Sequence, residues 1–402
     1  MTNYAPLWKL AEVNPATPEF QDLDEGESVG FMPLETIWPG GRADYSRSIS
    51  WSKKLSYTTF RRGDVLVPKI TPTFEAGRSI IAQIPTDLGV ASTEVHIVRA
   101  QPGVDPRFVT YSLQSAPFLD EGAHSLQGVG NLRRITARFV QEHKLLDAPR
   151  EMQRRIADYL DRETGEIDAM LAKMNELSET LEARRAVAIE VAIFADGRRG
   201  ALGHIIDCLP GYAFPSGQFS NDDSDIPLLR GVNVKPFGLD WSETVYWRSR
   251  NVPDLSEYYV GPTDIVLGMD RPFVSGGTRV VQVPADAPHS LLVQRVLRIR
   301  VREGMGNARY VYYALRAQSF KEYATPKFTG ISVPHISEDQ VRNFRIPLSS
   351  PHEQARIADH LDEVTGKIDQ MLAKTAELKS LLLERRSALI TDVVTGKKQL
   401  RS

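Results

Sequence analysis

One long stretch of this chain occurs twice. Gln153 to Asp161 reads Gln-Arg-Arg-Ile-Ala-Asp-Tyr-Leu-Asp, and Gln354 to Asp362 reads Gln-Ala-Arg-Ile-Ala-Asp-His-Leu-Asp. The match continues through Thr164-Gly165, Ile167-Asp168 and Arg184-Arg185 against Thr365-Gly366, Ile368-Asp369 and Arg385-Arg386, ungapped and at one offset (354 − 153 = 201). Repetition on this scale constrains the architecture before any single residue does.

Both copies have helical periodicity. Ile156, Leu160, Ile167, Met170, Leu177 and Leu181 fall at spacings of three, four and seven residues, as do Ile357, Leu361, Ile368, Met371, Leu378 and Leu382. This pattern predicts two long antiparallel helices meeting in a coiled-coil seam along those twelve residues, with charged residues elsewhere. Roughly 40 residues at 1.5 Å each make a rod of ~60 Å. Gly165 and Gly366 interrupt the pattern at equivalent places. Each costs about 1 kcal/mol against alanine, so a bend or close packing is expected there.

The segments between the helices repeat faintly. Gly63-Asp64-Val65-Leu66-Val67-Pro68 and Thr263-Asp264-Ile265-Val266-Leu267-Gly268 each read as a turn entering an apolar strand. Glu94 to Arg99 and Arg295 to Arg300 read as strands. Arg107 to Leu113 and Arg309 to Leu315 open short helices, and the turns Gly128-Val129-Gly130 and Thr329-Gly330-Ile331-Ser332 follow. The expected fold is α+β and pseudo-twofold: a mixed α/β domain at 1–148, a helix at 149–197, a second mixed domain at 198–349 and a second helix at 350–402. Two domains held at a fixed spacing suit an extended, repeating ligand, and DNA read as two half-sites fits that description.

The chain has 402 residues, 42% hydrophobic and 25% charged, which suits two or three globular domains. Its one cysteine, Cys208, excludes a disulfide framework and a thiolate zinc site. The start resembles no secretory signal, and charge interrupts every apolar stretch short of a membrane span. A cytoplasmic protein without membrane contact is expected. A net charge of −2 argues against a stand-alone nucleic-acid binder and for partners that share the phosphate contacts.

The chain resembles the specificity (S) subunit of type I restriction-modification systems along essentially its whole length. The helix starts carry the likeness: that family has a Pro-x-x-Glu-Gln-x-x-Ile-Ala-x-x-Leu-Asp run, which the second copy resembles from Pro351-His352-Glu353-Gln354 with one residue fewer between Pro and Glu, and the first from Pro149-Arg150-Glu151-Met152-Gln153, where the proline is shifted and Met152 separates Glu from Gln. Ile226 to Val234, Val29 to Glu35 and Val394-Thr395-Gly396-Lys397 are further matches. The resemblance implies two target-recognition domains that each read half of a bipartite, asymmetric site in double-stranded DNA, and helices that space them. It implies two methyltransferase subunits as partners, using S-adenosylmethionine, and restriction subunits using ATP and magnesium. It implies no cofactor and no catalytic group in this chain.

The residues agree. The sequence has no phosphate loop, no Asn-Pro-Pro-aromatic methyltransferase run and no metal-ligand spacing among its eight histidines; Pro253-Asp254 lacks a following Glu-x-Lys. Candidates for DNA contact are long donors on strands and loops. In the first domain they are Arg61, Arg62, Lys69, Arg78, Arg133 and Arg134. In the second they are Arg230, Asn233, Lys235, Arg271, Arg279 and Lys327. An exposed Arg or Lys is more often a solvated charge, so each competes with that bland alternative. The other functions to weigh are a non-catalytic adaptor holding two protein ligands at a fixed distance, and a self-sufficient DNA enzyme.

Overall fold

The computed structural model describes residues 3–130, 132–195, 197–248, 255–329 and 333–400. The Gly330-Ile331-Ser332 turn and Pro253-Asp254 lie outside the described residues. Two long helices are present, Arg150–Phe194 and Pro351–Val394. The chain forms two compact units: Met1–Asn175 with Thr375–Ser402, and Glu176–Lys374. Each unit therefore owns part of both helices.

The first unit holds two four-stranded sheets. One runs Ser48–Ser50, Ser28–Met32, Leu88–Ala91, Thr58–Arg61; the other runs Ala11–Val13, Val95–Ala100, Val65–Pro68, Ile80–Ile81. All four residues of Val65–Pro68 are buried, because both faces of that strand are covered. Val65 and Val67 pack with Val109 and Phe118 of the short helices Pro106–Ser112 and Ala116–Ser125. Leu66 packs with Met32 and Phe60 of the other sheet. Burying a side chain such as Phe118 completely is worth about 2–3 kcal/mol.

The second unit repeats this plan. Its sheets run Tyr246–Trp247, Ile226–Leu229, Ser290–Leu292, Tyr259–Val260 and Ile206–Pro210, Val296–Val301, Ile265–Gly268, Val280–Gln282. The strand order matches that of the first unit, and in both the second and third strands of the first-named sheet pair in parallel. Ile265 and Leu267 face Tyr310 and Phe320 of helices Ala308–Ala314 and Gln318–Ala324, while Val266 faces Leu229 and Leu292. The faint sequence repeat between the helices thus corresponds to one strand order used in both units. A hairpin, Phe273–Val274 with Gly277–Thr278, is added in the second unit.

The identical residues of the helix repeat explain themselves by their contacts. Gln153 accepts from the Asp105 N–H (3.0 Å) and donates to the Ala148 carbonyl (2.8 Å); Gln354 does the same with Asn307 (2.9 Å) and Ser349 (3.0 Å). Arg107 donates to Asp158 (2.8 Å) and Asp161 (2.6 Å), and Arg309 to Asp359 (2.6 Å) and Asp362. The Tyr111 hydroxyl donates to Asp161 (2.8 Å) beside Thr164, and the Tyr313 hydroxyl to Asp362 (2.7 Å) beside Thr365. Each unit fastens its globular part to a long helix through one shared set of polar side chains.

This corrects the expected seam. Ile156, Leu160, Ile167, Leu181, Leu361, Ile368 and Leu382 are buried and Ile357 is half-buried, but Met170, Leu177, Met371 and Leu378 are exposed. The buried stripe runs instead through Thr164, Arg185 and Thr365. An apolar heptad count passes over these polar positions, which hydrogen-bond Tyr111, Asp369 and Tyr313 respectively. Gly165 and Gly366 differ from expectation as well: the helices run on through them, and a Cβ at either would meet nothing within 4 Å.

Candidate nucleic-acid interface

In the first unit, the turn after Ala116–Ser125 gathers three of the candidate cations. Gly128 has φ 127°, and a Cβ there would meet the Leu132 carbonyl at 2.9 Å, so the turn requires glycine. Gln127 and Arg134 close the loop with paired backbone bonds of 2.9 and 2.8 Å. Ile135 N–H donates to the Lys69 carbonyl (2.9 Å) and Thr71 N–H to the Arg133 carbonyl (2.9 Å), which ties the loop to the end of Val65–Pro68.

Within this cluster the charges have different jobs. The Arg134 guanidinium makes a two-pronged pair with Glu94 (2.8 Å each) and donates to the Leu132 carbonyl (2.8 Å). Hydrogen bonding to Arg134 holds the Glu94 carboxyl below its ordinary range despite partial burial, and Lys69 adds to the effect. Arg134 is therefore a strut of the loop. The Arg133 side chain is exposed and has no hydrogen-bond or ion-pair partner among the described residues. Val129, 90% exposed, and Leu132 stand out beside it.

The second unit builds the same place with other residues. His335 closes the loop with Thr329, and Ile336 N–H donates to the Met269 carbonyl (2.9 Å). His335 Nδ1 lies 2.7 Å from Asp270, where the first unit has an Arg–Glu pair, and Arg295 lies 3.7 Å from the same carboxylate. The Arg271 N–H donates to the Pro334 carbonyl (2.7 Å), while its side chain is exposed and has no hydrogen-bond or ion-pair partner among the described residues; its φ is 45°. His335 and Arg295 were missed in the sequence; the signal was their position, 201 residues after Arg134 and Glu94.

The other candidates lie elsewhere. Arg61 pairs with Glu19, Arg62 with Asp87, and Lys235 with Asp240 at 3.8 Å. Arg78 donates to the Ile37 carbonyl (3.2 Å) and Arg230 to the Glu243 carbonyl. Lys327 donates to the Tyr323 carbonyl (2.8 Å) and lies 3.6 Å from that ring's centroid. Two candidates are corrected outright. Asn233 is fully buried, accepting from the Arg230 N–H (2.9 Å) and donating to the Asp240 carbonyl (2.8 Å). Arg279 donates to the carbonyls of Val234 (2.9 Å), Asp270 (2.7 Å) and Gly231. Both are spent on loop structure, and a donor already satisfied inside the fold has nothing to offer a base edge.

Among the described residues there is no acidic, histidine or cysteine cluster arranged to hold a metal, and no helix is long and apolar enough to cross a membrane.

No family model matches the chain. The Type I restriction enzyme EcoAI specificity subunit of Escherichia coli is 22% identical over 481 aligned positions, which cover 94% of this chain and 80% of that protein. A structure describing complex assembly and conformational transition of the type I R-M system superposes with a TM-score of 0.76 at 16% identity, covering 98% of both chains. The HsdS subunit from Thermoanaerobacter tengcongensis superposes at 0.52 with 18% identity, covering 98% of this chain and 97% of that one. The chain is similar in sequence to type I specificity subunits, and its fold is theirs.

Proposed function

We propose that this chain is the DNA-binding specificity subunit of a type I restriction-modification complex. In this reading each unit presents one target-recognition domain to half of a bipartite, asymmetric site, and Arg133 and Arg271 are the leading contacts to DNA. Two methyltransferase subunits dock on the complex and bring S-adenosylmethionine; restriction subunits bring ATP and magnesium. The chain carries no catalytic group and works in the cytoplasm. The observation that carries the reading is the duplicated plan with unlike loops: the strand order and helix anchors are kept, while Glu94 and Arg134 of one loop cluster give way to Arg295 and His335 in the other. A scaffold that is kept while its exposed loop changes is what two readers of different sequences require. Co-expression with the methyltransferase subunit, followed by mapping of methylated adenines, tests it; a single two-part motif supports the reading.

A further inference from the structure

Two hairpin tips of the second unit meet beside the long helix Arg150–Phe194. One is Pro236-Phe237, between Val234–Lys235 and Gly238–Leu239; the other is Ser275-Gly276, between Phe273–Val274 and Gly277–Thr278. Gly276 has φ 99°, and a Cβ there would meet the Phe237 ring at 3.0 Å, so this contact between the tips requires glycine. The tips, with Arg185 of the long helix and with Arg316 and Lys321, line a notch of about 400 Å³.

Donors outnumber acceptors in this notch. Arg185 is 6% exposed; its Nη2 bonds Asp369, and its Nε is buried without a partner among the described residues. Arg316 gives Nη1 to the Tyr312 hydroxyl, while the exposed Lys321 side chain has no hydrogen-bond or ion-pair partner among the described residues. The Ser275 and Gly276 N–H groups likewise have none. Glu182 is the one carboxylate in the lining. Phe237 is 60% exposed, and the guanidinium carbons of Arg185 and Arg316 lie 5.3 and 5.8 Å from its ring centroid. An accessible ring beside cations and unpaired amide donors can hold a base and its phosphate together.

The first unit lacks this set. Arg309 matches Arg107 at an offset of 202 (309 − 107), so Gln114 stands for Arg316 and Leu119 for Lys321; at the helix offset of 201, Leu383 stands for Glu182. Gln114, Leu119 and Leu383 line a notch there too, but no aromatic ring joins them. The scaffold therefore accepts the neutral residues, and the two cations of the second unit are not a requirement of its fold.

We propose that the notch of the second unit binds a nucleoside phosphate, with the phosphate on Arg316, Lys321 and the tip amides, the Arg185 Nε beside them, and the base on Phe237. The volume suits a ligand of that size. The inference rests on the proposed function only for the source of the nucleotide, free in solution or part of a DNA strand.

Calorimetric titration of the full chain with adenosine monophosphate and with inorganic phosphate tests it. Arg316→Gln with Lys321→Leu gives the notch the first unit's residues, and melting curves establish that each variant is folded. Expected are binding of both probes by the parent, a loss of about tenfold or more for both in the double variant, and in Phe237→Ala a loss for the nucleotide that exceeds the loss for phosphate. Glu182→Gln should tighten both. A parent that binds neither probe overturns the proposal, as does a folded double variant that binds as tightly as the parent. A short DNA duplex that displaces the bound nucleotide assigns the site to a DNA strand; a duplex that binds and leaves the nucleotide in place assigns it to a free one. A two-part methylation motif in a chain that binds neither probe removes the notch alone and leaves the proposed function standing.

Discussion

Arg386 on the second long helix donates to Asp168 on the first, Nε to Oδ1 at 3.1 Å, and the pairing recurs with the helices exchanged, where Arg185 of the first bonds Asp369 of the second. Each pair lies within one unit. Arg386 also donates to the Gly40 carbonyl at a hairpin tip (2.9 Å), and Arg185 lies 5.3 Å from the ring centroid of Phe237 at the equivalent tip.

Removing the acid leaves an arginine that is mostly buried without its counter-charge. Asp168 is 33% and Arg386 11% exposed, so solvent screens part of the loss. Asp168→Asn is expected to cost about 2 kcal/mol in urea unfolding of the full chain. Asp369→Asn costs less, since Asp369 is 61% exposed. The exchanged double variant Asp168→Arg with Arg386→Asp recovers more than half of the loss if the pair itself is responsible.

The two helix glycines give a prediction of the opposite sign. With no atom within 4 Å of an added Cβ, Gly165→Ala and Gly366→Ala should each raise stability by up to ~1 kcal/mol. A rise in melting temperature of a few degrees checks this, and a fall would contradict it.

Acid sensitivity should be concentrated in the first unit. Burial pushes the His96 and His143 rings below the ordinary imidazole range, although hydrogen bonds to the Ile135 carbonyl and to Glu121 oppose the shift. His96 is suited to the neutral form: Nε2 faces the Ile135 carbonyl at 3.2 Å and Nδ1 faces the Asn14 amide nitrogen at 3.1 Å. In the unfolded chain both rings titrate near about 6.5. Below that pH the unfolded state binds protons that the folded state does not, so stability is full above about pH 7 and declines as pH falls through 6.5. Melting at pH 7.5 and 5.5 should show this decline, and His143→Gln should flatten it.

Arg133→Ala and Arg271→Ala should leave thermal stability within about 0.5 kcal/mol of the parent, because neither side chain is engaged in the fold. Each should weaken DNA binding by the methyltransferase complex and lower the salt slope by about one. Arg279→Ala and Asn233→Ala should do the reverse and destabilise the second unit by about 1–3 kcal/mol, leaving buried carbonyls or amides without partners. Melting curves beside salt-dependent gel shifts separate the two classes.

What was legible in the sequence follows from what repeats. The helix copies share Gln153 and Gln354, Asp161 and Asp362, and Thr164 and Thr365 because each fastens the same fold to the same helix face. The buried strands were readable as unbroken apolar runs, since Val65–Pro68 and Ile265–Gly268 are covered on both faces. The seam was misread at Met170 and Leu177 because apolar periodicity does not reveal that Thr164 and Arg185 are buried with partners. The loop residues were the hardest to place. Arg134, Arg279 and Asn233 look like readers in one dimension, and only the bonds to Glu94, to three carbonyls and to a hairpin show that the fold consumes them.

The central claim is that two unlike readers on one repeated scaffold specify one divided DNA site. Long-read mapping of methylated adenines tests it most directly, in cells co-expressing this chain with its methyltransferase subunit, for the parent and for a chain whose residues 198–349 come from a relative of different specificity. The expected result is one two-part motif for the parent, and for the exchange a motif with one half changed and the other retained. A motif without two parts, or an exchange that changes both halves or neither, would contradict the claim.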